Sequence, residues 1–549
     1  MMHQDLSLGV DRQSAIRLLR VVATILCTVF AIGCQTNEPV SSNDKPKDPN
    51  HVNTSQRDNR EEKIATERRE LYERHCVGCH GVDGDGQGYA SWLLFPKPRD
   101  FGGDQFRLIS SEKRNPTLED VEKAISRGMP GSGMLPWSHL SKRERKLLAE
   151  EVLRLREAGL RRLFFATAEK EEGGEVDEEE PEEKGVAAFL QERLESGQAV
   201  KIPKIGEPDE ETLARGKFLY FKQSCHMCHG NEGRGDGRKQ MIDDHGLPTK
   251  PRDFTRGIFK GDHDPASVYL RIALGMPGTP MPSSRDTLSP ERMMDITHFV
   301  LSMSNEDLRQ RAILRREKLI VKHVEVSPES FDAALWADVK PIQLRMTPLW
   351  WRNGADPDLE IQAVHDGKNV ALRLAWRDTT HNDGSDPESK ATMDGAALEL
   401  YRGDEEPFIG LGSPSPVEVW YWRADNKASG DTGDSSTEVE GFTADQPGGI
   451  PPLPWERDTN ETVRTFVGSG TVTFQIPRVR KAKAQAQWKD DRWTMVLSGP
   501  MQFEDENFIK LEPGDMVSIA FAIWNGALHD EGGKKAITVW QDFVLEDGD

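Results

Sequence analysis

Apolar positions along this chain change their period twice. A continuous apolar run, Val21 to Gly33, follows Arg12, Arg17 and Arg20. It is shorter than the roughly 20 residues a membrane-crossing helix needs, and it has the length of a signal-peptide core. From about residue 60 the spacing is helical, through Ile64, Leu71 and Tyr72, and again through Leu148, Val152 and Leu155. It returns in Leu213, Phe218, Leu219 and Phe221, and in Met293, Ile296, Phe299 and Val300. Ser141 with Glu144 reads as a capping box, and Ser289 followed by Pro290 as a second helix start. From about Pro328 the period drops to two. Val370, Leu372, Leu374 and Trp376 alternate with Ala371, Arg373, Ala375 and Arg377, after an Asp366-Gly367 turn and a strand from Leu359 to Val364. Further strands are expected at 397–401, 417–422, 472–476, 493–497, 517–524 and 536–545. Strands at this spacing predict an antiparallel sandwich.

Two polar stretches divide these regions. Residues 35–60 carry no pattern and read as a tether. Glu169 to Lys184 is an acidic run with Gly and Pro, which reads as a solvated spacer. Residues from Asp307 to Val324 read as a charged helix leading into the β region. The expected organisation is a signal peptide at 1–33, a tether at 34–62, a helical unit at 63–160 and an acidic linker at 161–205. A second helical unit at 206–305, a linking helix at 306–330 and a β domain at 331–549 complete it.

The two helical units are copies. Cys76-Val77-Gly78-Cys79-His80-Gly81 returns as Cys225-His226-Met227-Cys228-His229-Gly230. Each is followed by a Gly-rich turn and then by an identical Lys-Pro-Arg-Asp-Phe string, at 97–101 and 250–254. Each then has a Gly/Pro loop with two methionines, Met129 and Met134 in one and Met276 and Met281 in the other. This is an internal duplication of about 100 residues.

The 549 residues carry a formal charge of −21, which argues against nucleic acid as a partner. Only six cysteines are present, so a disulfide-stapled scaffold is excluded and each cysteine has its own role to be found. Cys27 leaves with the signal peptide. Ala31-Ile32-Gly33-Cys34 resembles a lipobox, which makes Cys34 the expected lipidation site and places the chain on the periplasmic or outer-surface side of a bacterial membrane. The remaining four lie in the Cys-x-x-Cys-His motifs. Two thiols at that spacing can form thioethers to haem, and the adjacent His reaches the iron. A zinc site would need four ligands, and a thioredoxin-type disulfide a βαβ context.

Residues 63–160 and 206–305 resemble class I cytochrome c domains. The resemblance implies haem c on Cys76 and Cys79 and on Cys225 and Cys228, with His80 and His229 as proximal ligands. It implies a distal Met from the Gly/Pro loop: Met134 and Met281, with Met129 and Met276 as the alternatives. Met281-Pro282 matches the family's pair, whereas Leu135 separates Met134 from Pro136. Residues 331–549 resemble the haem-binding domain of ethylbenzene dehydrogenase-type gamma subunits, carried by 359–376, 416–422, 517–524 and Gly532 to Ile537. In that family a Met and a Lys hold a b haem. Lys535, or its neighbour Lys534, corresponds to the Lys, and Leu411 stands where the Met belongs.

The expected fold class is therefore two all-α cytochrome c domains followed by an all-β antiparallel sandwich. The expected function is a non-enzymatic, lipid-anchored electron relay with two His/Met-ligated c haems. Its third domain binds a b haem or docks the partner, a periplasmic redox protein or a molybdenum enzyme. Two rivals share these motifs: a dihaem peroxidase, which needs an open iron position and acid/base groups beside it, and a carbohydrate-binding module coupled to cytochromes.

Overall fold

The computed structural model describes residues 54–171, 183–328, 331, 333–352, 354, 357–386, 388–403, 406–408, 416–425, 464–469, 482–503 and 509–548. The signal peptide, Cys34, Leu411 and the strand expected at 472–476 lie outside the described residues. Nearly all described residues belong to one compact unit, Glu62–Asp549.

In the first helical unit, α1 (Thr54–His75) runs into the one-turn helix α2 (Val77–His80), followed by α3 (Leu118–Arg127) and α4 (Lys142–Glu171). Thr117 and Asp120 form a capping box on α3. At the start of α4, Ser141 N–H donates to Glu144 Oε2 at 2.7 Å, and Glu144 N–H donates to Ser141 Oγ at 3.2 Å. Leu71, Tyr72, Val121, Ile125, Leu148, Val152 and Leu155 face one another in the core. That grouping is what helical spacing of apolar residues requires.

Helix α5 (Glu183–Leu194) corrects the reading of 161–205 as linker throughout. It packs Val186 and Leu190 against Leu160 of α4. Its apolar residues are few, and the acidic run in front of it obscures them in the sequence.

The second unit repeats the plan with α6 (Glu210–Lys222), α7 (His226–His229), α8 (Pro265–Leu274) and α9 (Pro290–Leu301). Side chains of Asp209, Asp264 and Ser289 cap the three longer helices. The two units share an interface rich in charge. Arg107 pairs with Asp243 at 3.3 Å, and both side chains are at most 9% exposed. Arg271 donates to the Arg107 carbonyl at 2.8 Å and to the Ile109 carbonyl.

The expected linking helix at 306–330 ends early. Helix α10 covers only Glu306–Arg311, and Lys318–His323 is a strand, β1. Leu319 and Val321 are 3% and 0% exposed, while Ile320 between them is 38% exposed. That is a period of two, hidden in the sequence by the charges on either side. β1 pairs in parallel with both Asp358–His365 and the last strand, Gln541–Leu545. The C-terminal sheet is therefore mixed rather than wholly antiparallel.

The remaining ladder is antiparallel. Its path runs from 464–469 through Pro416–Arg423, Gly395–Tyr401, Met516–Trp524 and Gln541–Leu545 to β1, then Asp358–His365, Asn369–Arg377, Arg492–Pro500 and Lys483–Lys489. Trp422 lies near one end of that path, yet its ring is 5.2 Å from Trp493 and 6.5 Å from Trp376 near the other. One continuous sheet thus curls back on itself around a tryptophan-rich core.

Candidate functional site

In each cytochrome-like unit the first cysteine stands just before a one-turn helix that carries the second cysteine and the histidine. His80 N–H donates to the Cys76 carbonyl, and His229 N–H to the Cys225 carbonyl, both at 2.9 Å. A buried tyrosine fixes the turn that follows. Tyr72 Oη donates to the Gly81 carbonyl at 2.8 Å and Tyr220 Oη to the Gly230 carbonyl at 2.6 Å. Burial raises both phenol pKa values, so each stays a donor.

The repeated Lys-Pro-Arg-Asp-Phe string forms the wall behind the histidine. Phe101 stacks on His80 with centroids 4.7 Å apart, and Phe254 on His229 at 5.0 Å. His80 Nδ1 lies 3.0 Å from the Arg99 carbonyl. Donation there fixes the tautomer and leaves the Nε2 lone pair for a metal. His229 Nδ1 is buried and makes no such bond. Burial lowers the pKa of both rings, that of His229 to about 4, so both are neutral as ligands must be. Burial also pushes the thiols of Cys76 and Cys79 up to about 12 and that of Cys225 to about 11. These are protonated thiols, not the depressed ones of redox cysteines.

The methionine loops close the opposite wall in the same way in both copies. Met129 N–H donates to the Met134 carbonyl at 2.9 Å and Met276 N–H to the Met281 carbonyl at 3.1 Å. Ser132 and Thr279 hydroxyls donate to the carbonyls of Met129 and Met276 at 2.7 Å. Before each loop stands a glycine with positive φ, Gly128 and Gly275. A Cβ on either would sit about 2.5 Å from backbone of the loop's far side. Only glycine permits that approach.

Between the walls lie two cavities. The second, of about 690 Å³, is lined by Cys225, Cys228, His229, Met276 and Met281. The first, of about 160 Å³, is lined by Cys76, Cys79, His80, Met129 and Met134. Sites for cofactors typically span about 300–1,000 Å³; the first cavity reaches that size only if lining side chains turn outward. One of those side chains is Phe408, from the C-terminal domain.

Charge on the walls bears on what they hold. Lys239, Lys250, Arg252, Lys260 and Arg271 line the second cavity against the single carboxylate of Asp262. Lys97, Arg99, Arg107, Arg252 and Lys260 line the first against Asp120. Arg252 and Lys260 line both, so the cavities share a wall. Burial drives the Lys260 pKa well down, and Arg252, Arg107 and Arg99 add repulsion. Such crowding of buried cations is unfavourable until anions arrive. The two carboxylates of a haem are anions of the required kind. Thiols, histidine, methionine and cations therefore fit haem c in both cavities.

In the C-terminal domain Lys535 is 5% exposed, with Nζ 5.1 Å from the Trp524 ring. Burial lowers its pKa to about 8, partly offset by the nearby Glu399 carboxylate. An amine with that pKa can be neutral and could bind iron. Lys534 lies instead with Nζ 5.8 Å from the Trp350 ring. Leu has no donor atom for iron, so Leu411 cannot complete such a pair. Cys79, Leu93, Leu94 and Leu135 of the first unit pack against the same sheet face, with Ala520, Ala522, Trp524 and Trp540.

Comparison with known families agrees with this geometry. The cytochrome c family profile matches residues 65–150 and 213–304. The ethylbenzene dehydrogenase profile matches residues 333–536. The chain thus joins two regions matching cytochrome c to one matching the ethylbenzene dehydrogenase family. It is 27% identical over 232 residues to a protein named as a respiratory nitrate reductase haem subunit from Haloferax mediterranei, covering 41% of this chain and 71% of that one. It is 27% identical over 226 residues to the dimethylsulfide dehydrogenase gamma subunit of Rhodovulum sulfidophilum, covering 39% of this chain and 73% of that one. A solved chain of the Kuenenia stuttgartiensis reducing HAO-like protein complex is 35% identical, with a TM-score of 0.35, covering 44% of this chain and 96% of that chain. The family and sequence matches support an electron-transfer protein with several haems.

Proposed function

We propose that this multihaem cytochrome relays electrons through two adjacent His/Met-ligated c haems to or from a larger oxidoreductase. The observation that carries the reading is the shared wall: two cysteine–histidine–methionine cavities with Arg252 and Lys260 lining both. Bound haem supplies one-electron chemistry at iron. The chain's own residues do the rest. Cys76, Cys79, Cys225 and Cys228 would anchor the macrocycles, and His80 with Met134 and His229 with Met281 would ligate the two irons. With a histidine and a methionine both engaged, each iron would keep no open position for peroxide, which favours the relay over a peroxidase. The relatives' names point to a molybdenum enzyme as the partner. Lys535 would supply one ligand of a b-haem site in the C-terminal domain. Export and lipidation at Cys34 belong to the same reading; fatty-acid labelling that is lost in Cys34→Ser checks them.

The second domain is the favoured point of exchange. Phe408 and the C-terminal sheet cover the first cavity, whereas Met227, which lines the second, is 44% exposed, and Ile242, next to the lining Met241, is 62% exposed. Lys239 and Lys250 are exposed residues lining that cavity. A partner with an acidic face fits this surface. Rapid mixing of the reduced chain with ferricyanide, an anionic oxidant, tests it. Oxidation is expected to slow several-fold on adding salt, and to slow likewise in Lys239→Glu/Lys250→Glu. A rate indifferent to both changes contradicts exchange through this mouth.

A further inference from the structure

We propose that Arg252, in the second cytochrome domain, is a positioning residue for the distal ligand of the first iron. The inference rests on the reading that the Met129–Met134 loop supplies that ligand.

Identical strings are used differently in the two copies. Arg99 stays within its own domain, with Nη1 3.1 Å from Asp104 Oδ2. Arg252, 8% exposed, reaches into the other domain. Its Nε donates to the Pro130 carbonyl at 3.1 Å and its Nη2 to the Gly131 carbonyl at 2.9 Å. Both carbonyls lie inside the loop between Met129 and Met134. The fit is close. Gly131 has φ +72°, and a Cβ there would sit 2.9 Å from Arg252 Nε. Two positions along the same string, Phe254 stacks on His229. One short segment therefore touches the proximal histidine of the second site and the ligand loop of the first.

A fork of two parallel donors is what arginine offers and lysine lacks, while both keep the positive charge. Arg252→Lys separates positioning from electrostatics, and Gly131→Ala disturbs the same contact from the loop side. The readout is proton NMR of the reduced, haem-loaded full chain, in which each ligand methionine gives its own ring-shifted signals. The set of the first haem is identified in Cys225→Ser/Cys228→Ser, which lacks the second haem. In Arg252→Lys and in Gly131→Ala the first set is expected to shift or broaden while the second keeps its positions. In parallel, the methionine–iron charge-transfer band of the oxidised chain is expected to fall toward half. A first set unmoved in both variants, or movement of the second set alone, overturns the proposal. A parent chain without two methionine sets overturns the ligand assignment instead, so the two failures are distinguishable.

Discussion

Replacing His229 with alanine is expected to abolish the low-spin spectrum of the second haem and to leave that of the first intact. The two thioether bonds from Cys225 and Cys228 do not depend on His229, so the macrocycle stays attached. The iron loses its strong nitrogen donor. Among the described residues lining the cavity there is no second histidine, and Phe254 stacks on the position the ring vacates. His226, in the same motif, has its ring 4.9 Å from Phe221. One of two equal low-spin contributions should therefore disappear, and the potential of the remaining haem should shift little. The corresponding His80→Ala change should remove the other half. A His229→Ala chain with an unchanged spectrum contradicts the assignment of its proximal ligand.

Gly216→Leu is expected to destabilise the second cytochrome domain by about 3 kcal/mol, lowering its melting midpoint by on the order of 15 °C. Gly216 is where α6 crosses α9. A Cβ there would stand 2.1 Å from the Asp295 carbonyl oxygen and 2.8 Å from Phe299 Cβ. The obstacle is backbone, which cannot rotate away as a flexible side chain can. Arg215 pairs with Asp295 at 3.0 Å, and Tyr220 and Phe299 meet edge-on at 5.4 Å, fixing the crossing on both sides. Accommodating leucine means separating the helices and loosening the Tyr220 bond to Gly230. Calorimetry of the loaded chain should show one transition moved down with the others in place. An unmoved transition would show that the two helices are not packed this closely.

Much of this architecture was legible because its signals are local. Two thiols and a histidine within five residues leave little room for another chemistry. Period-two runs such as 370–377 became strands with Val370, Leu372, Leu374 and Trp376 in the core, and there the small Ala371 and Ala375 of the other face are buried too. Other features depend on partners distant in sequence. Lys318–His323 was read as helix because its flanking charges outnumber its two buried residues, and its parallel partners at 358–365 and 541–545 could not be read from spacing. The repeated string was visible, yet its two phenylalanines carry histidine contacts that only the folded chain displays. Tyr72 and Tyr220 gave a weak signal, an aromatic residue four or five places before the first cysteine of each motif. Arg252 and Arg99 are indistinguishable by local sequence; their roles diverge because one faces a neighbouring domain. Phe408 enters the first cavity from more than 300 residues beyond its Cys76–His80 motif.

The central claim is that each of the two duplicated motifs holds one covalently bound haem. Alkaline pyridine haemochrome spectra of the full chain, before and after acid–acetone extraction, test it most directly. The account predicts two haems per chain with c-type absorption that resist extraction. Any extractable b haem would be additional and would require a donor other than Leu411. Fewer than two non-extractable haems per chain would contradict the account.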